Sequence, residues 1–223
     1  MLKQVMALWK SESFMKRVVE KFGEMISDDE YLFTCAWEVF MGQAVIDQIK
    51  QPFYDKDISV NNGEREIRRM LVEHLSLHPR HDISGSLVMM SLVKDAERIG
   101  DYSKNIFEVG IMLEGKVKEM KYLERLSSLH RKIADRFPQL KMAFLESDTN
   151  IARKILKEYA PIKGECNGIL RDLFSEELST REAVATALLS RYLKRINSHM
   201  SNIASGIIYP LDQIDFVRGD ILE

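Results

Sequence analysis

Taken only as apolar and polar positions, the chain resolves into six long segments of helical period. In the first, about residues 13–49, Phe14, Val18, Phe22, Met25, Phe33, Trp37 and Phe40 recur at the spacing of one helical stripe. A polar stutter at Ser27-Asp28-Asp29 is a point where that segment can kink or break, and Pro52 marks its boundary with the next. The second, about residues 57–78, carries Val60, Ile67, Leu71, Leu75 and His78. It stops before Pro79, because a proline drives the preceding residue out of the helical region. The third covers about residues 82–114. The fourth, about residues 116–145, carries Leu123, Leu126, Leu129 and Ile133 and is bent at Pro138. The fifth, about residues 149–174, contains Pro161. The sixth starts behind Ser179, which with Glu182 forms a capping box, and ends near Ile208 ahead of Pro210. Strand-like alternation is absent, so the predicted class is all-α.

Six helices in order invite a comparison of halves. "RYLKRINSHMSNI", residues 191–203, aligns without a gap to "KDAERIGDYSKNI", residues 94–106, at an offset of 97. Arg98/Arg195, Ile99/Ile196, Asn105/Asn202 and Ile106/Ile203 are identical pairs. Val60, Ile67 and Leu71 fall opposite Ile162, Ile169 and Leu173 at an offset of 102. The expectation is two tandem three-helix bundles related by a pseudo-twofold, residues 1–114 and 115–223.

Composition narrows the partners and the compartment. Of 223 residues, 45% are hydrophobic and 30% charged, a globular balance, and 11 Gly and 5 Pro leave room for long helices. A net charge of −2 gives no bulk attraction for nucleic acid. Cys35 and Cys166 stand far apart without metal-ligand spacing and read as buried thiols in a reducing compartment. The opening "MLKQVMALWKSESF" is broken by Lys10, Ser11 and Glu12 before a signal-peptide core forms, and no run approaches the ~20 apolar residues of a membrane span. A cytoplasmic protein is expected.

The candidate chemistry lies in the third helix. Glu97 and Asp101 are one turn apart and share a face, beside a Gly100 that weakens the helix. Either they belong to a charged face, ion-paired with Arg98, Lys94 or Lys104, or they converge on something that needs oxygen ligands. Asp57, Asn61, Glu64 and Arg68 form a polar stripe on the second helix. Antiparallel packing across the Pro79 loop brings Asp57 and Asn61 to the depth of Glu97 and Asp101. Such a site suits iron, manganese, magnesium or calcium more than zinc. His74, His78 and His81 are a conceivable zinc cluster or local helix-end groups. No Gly-rich phosphate loop, GxSxG, HExxH or ExxH pattern is present.

"VNNGEREIRRMLVEHL" followed by "LVMMSLVKDAERIGDYSKNI" closely resembles PhoU-domain proteins, regulators of phosphate uptake, over nearly the whole chain. Asp95, Glu97, Arg98, Ile99, Gly100, Asp101 and Asn105 stand where that family places its "ERIGD" motif. The resemblance implies E(D)xxxD metal motifs able to hold multinuclear iron or another metal, carried here by Glu97 with Asp101 and by Asp57 with Asn61. The second half departs from the pattern. Lys194 and Ser198 replace the Glu and Asp, while Tyr159 and Lys163 fall opposite Asp57 and Asn61. A lysine ammonium has no lone pair for a cation, so this half is expected not to bind metal. The resemblance further implies a non-enzymatic adaptor between the ATPase of a phosphate ABC transporter and a sensor histidine kinase, reaching the membrane through its partners and repressing the phosphate-starvation response. Its alternatives are a module serving a sodium-phosphate symporter and a carboxylate-bundle metalloprotein. The metal, the partner and the oligomeric state, a homo-oligomer included, stay open.

Overall fold

The computed structural model describes residues 13–78 and 83–214, with backbone alone for residues 13–15. Among these residues there are seven α-helices and no strand: α1 Ser13–Phe40, α2 Ile46–Leu77, α3 Ile83–Leu113, α4 Leu123–Ala134, α5 Arg136–Glu146, α6 Thr149–Asp172 and α7 Thr180–Ile208. A 3-10 turn, Leu211–Gln213, follows. No described helix is long and apolar enough to cross a membrane.

Several expected boundaries move, each for a local reason. The stutter at Ser27-Asp28-Asp29 does not interrupt α1. Ser27 Oγ donates back to the Gly23 carbonyl at 3.1 Å, and Asp28 is held by Lys56 Nζ at 2.6 Å. The first break comes earlier than Pro52, at Gly42, whose φ of +66° suits a residue without a Cβ. There Gln43 N–H reaches back to the Glu38 carbonyl at 2.9 Å and Gly42 N–H to Val39 at 3.0 Å, which caps α1. Pro52 lies inside α2. Its missing N–H orphans the Gln48 carbonyl, but both residues are exposed, where an unmade backbone bond costs little. The fourth segment is split rather than bent. Pro138 cannot donate to the Ala134 carbonyl, and the ladder is broken at Asp135.

At the other ends the side chains behave as their types predict. Asp148 caps α6 by accepting from Asn150 N and Ile151 N, and Ser179 caps α7 by accepting from Glu182 N at 3.3 Å. The reciprocal half of the capping box is missing, because Glu182 Oε1 accepts from Lys121 N at 2.7 Å instead.

Helices α1–α3 pack as one bundle and α4–α7 as the other. The connection that leaves α3 begins with Glu114 and Gly115, both at positive φ. The bundles nevertheless share one continuous apolar core, because α3 lies against α7 and α1 against α5. His130 of α4 is stacked between Trp37 and Phe33 of α1, with ring centroids 4.3 and 4.6 Å apart. Along α3 and α7 a buried polar strip crosses the seam. Asp95 Oδ1 bonds with His199 Nδ1 at 2.7 Å and accepts from Asn202 Nδ2 at 2.9 Å, while Arg195 Nε donates to Tyr102 Oη at 3.1 Å. Two of the pairs identical in the internal repeat keep their burial: Ile99 with Ile196 and Ile106 with Ile203 are all in the core. Cys35 and Cys166 are free and buried, and burial pushes the Cys166 thiol up to about 12 against the charge of Lys194.

Candidate metal centre

The antiparallel pairing of α2 and α3 brings their two polar stripes together. Lys104 Nζ of α3 donates to Asp57 Oδ2 of α2 at 2.8 Å, a bond that raises the Lys104 pKa. Lys94 Nζ of α3 donates to Glu97 Oε2 at 2.7 Å and lies 3.7 Å from Glu64 Oε1 of α2. Arg98 donates to Asp101 Oδ2 at 2.9 Å. Asp57, Glu64 and Glu97 are nearly buried, and Asn61 is half-buried on the same stripe as Asp57. Burial and the Glu97 charge raise the Asp101 pKa, with Arg98 opposing. The ion-pair alternative is thus realised for Asp57, Glu97 and Asp101, each of which has a basic partner.

Asp29, in the polar Ser27-Asp28-Asp29 stretch of α1, lies beneath this stripe. Asp29 of α1 is completely buried, and neither of its oxygens has a hydrogen-bond partner. A Cβ added to Gly100 would stand 3.1 Å from Asp29 Oδ1 and 3.4 Å from Val60. The absent side chain at position 100 is therefore what lets the carboxyl sit between α1 and α3. Burial first, then the charges of Asp28, Glu97, Asp101 and Asp57, push the Asp29 carboxyl well above the usual carboxylate range.

The same register in the second bundle holds the opposite charge. Arg136, the first residue of α5, is completely buried and donates through Nη1 to Asn197 Oδ1 and through Nη2 to the Ile155 carbonyl. Its Nε lies 3.6 Å from Glu158, and burial lowers its pKa to about 10. Asn197 stands opposite Gly100 at the repeat offset of 97, so Asp29 meets Gly100 where Arg136 meets Asn197. On α7, Lys194 Nζ donates to Asn167 Oδ1 at 2.8 Å and Ser198 Oγ donates to the Lys194 carbonyl. Lys163 Nζ lies 5.3 Å over the Tyr159 ring, and the Tyr159 carbonyl accepts from Asn197.

The PhoU domain model matches this chain twice, at residues 47–109 and 126–207, more than half of its length. The chain belongs to the PhoU-domain family. Its relatives include the phosphate-specific transport system accessory protein PhoU of Escherichia coli K12, 29% identical over 148 residues that make up 64% of this chain and 61% of that protein. A PhoU homologue from Deinococcus radiodurans is 20% identical over 204 residues, 89% and 94% of the two chains. The matches to the Edwardsiella tarda and E. coli proteins span about 60% of those proteins' length. The crystal structure of the phosphate transport system regulatory protein PhoU from Streptococcus pneumoniae aligns with a TM-score of 0.63 at 19% identity, over 88% of this chain and 96% of that one, which establishes a shared fold.

Against a metal implied by the PhoU-domain resemblance, the donor set fits in kind. Asp29, Asp57, Asn61, Glu97 and Asp101 offer hard oxygens, and Asp29 is an orphaned buried carboxylate of the sort a cation satisfies. As the side chains are placed, no three His, Cys, Asp or Glu groups among the described residues converge on one ion, because the outer carboxylates are turned to their lysine and arginine partners. Of the conceivable histidine cluster, the His74 and His78 rings are 5.3 Å apart, and His81 lies outside the described residues.

Proposed function

We propose that this chain is an accessory regulator of phosphate transport that acts by contact rather than by turnover, on the cytoplasmic side of the membrane. The observation that carries the reading is the double match to the PhoU domain, together with relatives named as accessory proteins of a phosphate-specific transport system. The partners proposed are the ATPase subunit of a phosphate ABC transporter, a sensor histidine kinase, or both, with repression of the phosphate-starvation response as the output. Gene deletion tests this. At high external phosphate the deletion strain should take up labelled phosphate faster than the parent, and tagged protein from the complemented strain should co-purify with the transporter ATPase or the kinase. Unchanged uptake together with co-purification of a sodium-phosphate symporter would transfer the chain to that transporter. Hydrolysis of ATP or a phosphate ester abolished by Glu97→Ala would replace the adaptor by a metalloenzyme.

A cation in the first bundle is part of the proposal, held by Asp57, Asn61, Glu97 and Asp101, with Asp29 supporting the reading through its lack of any partner. Iron or manganese, with magnesium and calcium as competitors, match the oxygen donors. A bound ion would neutralise the acidic stripe and fix α2 against α3. In the second bundle Lys163, Lys194 and the buried Arg136 oppose a cation.

A further inference from the structure

The carboxyls around the first-bundle stripe are not all paired. Asp28 is held by Lys56 at 2.6 Å, Asp57 by Lys104 at 2.8 Å, Glu97 by Lys94 at 2.7 Å and Asp101 by Arg98 at 2.9 Å. Each of these carboxylates has a base, and each base lies on the rim, a third or more exposed on its side chain. Glu64 is paired with Arg68 at 3.0 Å, which leaves Asp29 as the one carboxyl of this group without a base. It is the most deeply buried of the group and has neither a base nor a hydrogen-bond donor. The next nearby lysine, Lys141, donates to Ser27 Oγ at 2.6 Å. An apolar side chain would fill this place on α1 without loss, since Phe22, Ile26 and Phe33 complete the same stripe in the core. The carboxyl is instead accommodated by Gly100, at the cost of a glycine in mid-helix.

We propose that Asp29 is the inner anchor of the cation site, reaching it from a third helix, and that Lys94 and Lys104 are built-in counter-ions which an entering cation displaces from Glu97 and Asp57. This rests on the cation reading given above. The rim ammonium groups neutralise the outer carboxylates while the site is empty of metal, and their flexible stems allow them to swing into water. Asp29 has no such substitute and is answered only when the ion arrives. Metal binding thereby frees two positive charges at the surface of α3, so the loaded and unloaded chains present different charge to a partner. In the second bundle Arg136 occupies the position that corresponds to Asp29, so that half carries its own cation and lacks the exchange.

The test is titration of the chelator-stripped full chain with Mn2+, followed by the electron paramagnetic resonance signal of the free ion and by calorimetry. Asp29→Asn should weaken Mn2+ binding by roughly tenfold or more. Lys104→Met should strengthen it, and the rise in melting temperature that Mn2+ gives the unaltered chain should vanish in Asp29→Asn. In chelator, Asp29→Asn should melt no lower than the unaltered chain, whereas a residue with a merely structural role would lower the melting temperature. Gly100→Ala, whose added Cβ would press on Asp29 Oδ1 at 3.1 Å, should weaken Mn2+ in the same direction and serves if Asp29→Asn fails to fold. Unaltered affinity in both variants, in a chain that binds Mn2+, would overturn the role of Asp29 and leave the cation reading standing. Absence of Mn2+ binding by both the unaltered chain and Lys104→Met would overturn the two together.

Discussion

Acid should loosen the joint between the bundles before it reaches their interiors, and His130 makes the effect measurable. Its imidazole is stacked on Trp37 and Phe33 across the α1–α4 contact, and Nε2 is buried without a hydrogen-bond partner. Burial, with a smaller push from Arg131, lowers its pKa from 6.5 to about 4. A histidine whose folded pKa is depressed takes up its proton more readily in the unfolded chain, so its contribution is intact above about pH 6.5. It is lost as pH falls through the window down to about 4. One pKa unit corresponds to about 1.4 kcal/mol, so the full loss is about 3 kcal/mol. Urea unfolding of the unaltered chain and of His130→Phe at pH 7, 6, 5 and 4 isolates this group, since phenylalanine keeps the stacking and does not titrate. Relative to the variant, the unaltered chain should lose about 3 kcal/mol between pH 7 and 4, most of it below 6. Parallel profiles for the two proteins would refute the assignment of a neutral, buried imidazole at this joint.

Three further outcomes are expected. Arg136→Met should destabilise the chain by roughly 2–5 kcal/mol in chemical denaturation, because Asn197 Oδ1 and the Ile155 carbonyl lose their donor, and adding Asn197→Leu should recover part of it. Asp95→Ala leaves His199 Nδ1 and Asn202 Nδ2 without their shared acceptor at the seam, and should cost roughly 2–4 kcal/mol with the helix content by circular dichroism unchanged. Cys166, fully buried with its thiol pushed up to about 12, should resist iodoacetamide at pH 8 in the native chain and be alkylated promptly in urea; labelling at equal rates would contradict its burial.

The helices that ended in strong local chemistry were legible. Ser179 and the prolines at 79 and 210 fix the start and end of α7 and the end of α2 to within a residue or two, whereas α2 starts at Ile46 and not at about residue 57. Pro52 misled because its cost depends on exposure, which the residue itself does not reveal, whereas Gly42 carried the true signal of a positive φ. Asp29 was readable in principle. Phe22, Ile26, Asp29 and Phe33 recur on one helical face, and an acid on an apolar stripe is a buried acid rather than a stutter. Arg136 had no such signal, since its burial depends on Asn197 and Ile155, partners brought to it only by the tertiary fold. The pairing of Asp57 with Lys104 likewise joins residues 47 apart and follows from the register of α2 on α3.

The seam between α3 and α7 makes the molecule a dimer written in one chain. Leu92 closes on Gly206 and Asp95 on His199, so severing the chain at Gly115 would strip cover from each half along the whole length of one helix. By the repeat offset, Tyr102 is the first half's counterpart of His199, and Tyr192 is the second half's counterpart of Asp95. Two copies of residues 1–114 would thus set Asp95 against a tyrosine hydroxyl, and two copies of residues 115–223 would set tyrosine against histidine. Only the mixed pair opposes carboxylate to imidazole. Separately expressed halves should therefore prefer each other to themselves, and fusion spares them the entropy of meeting.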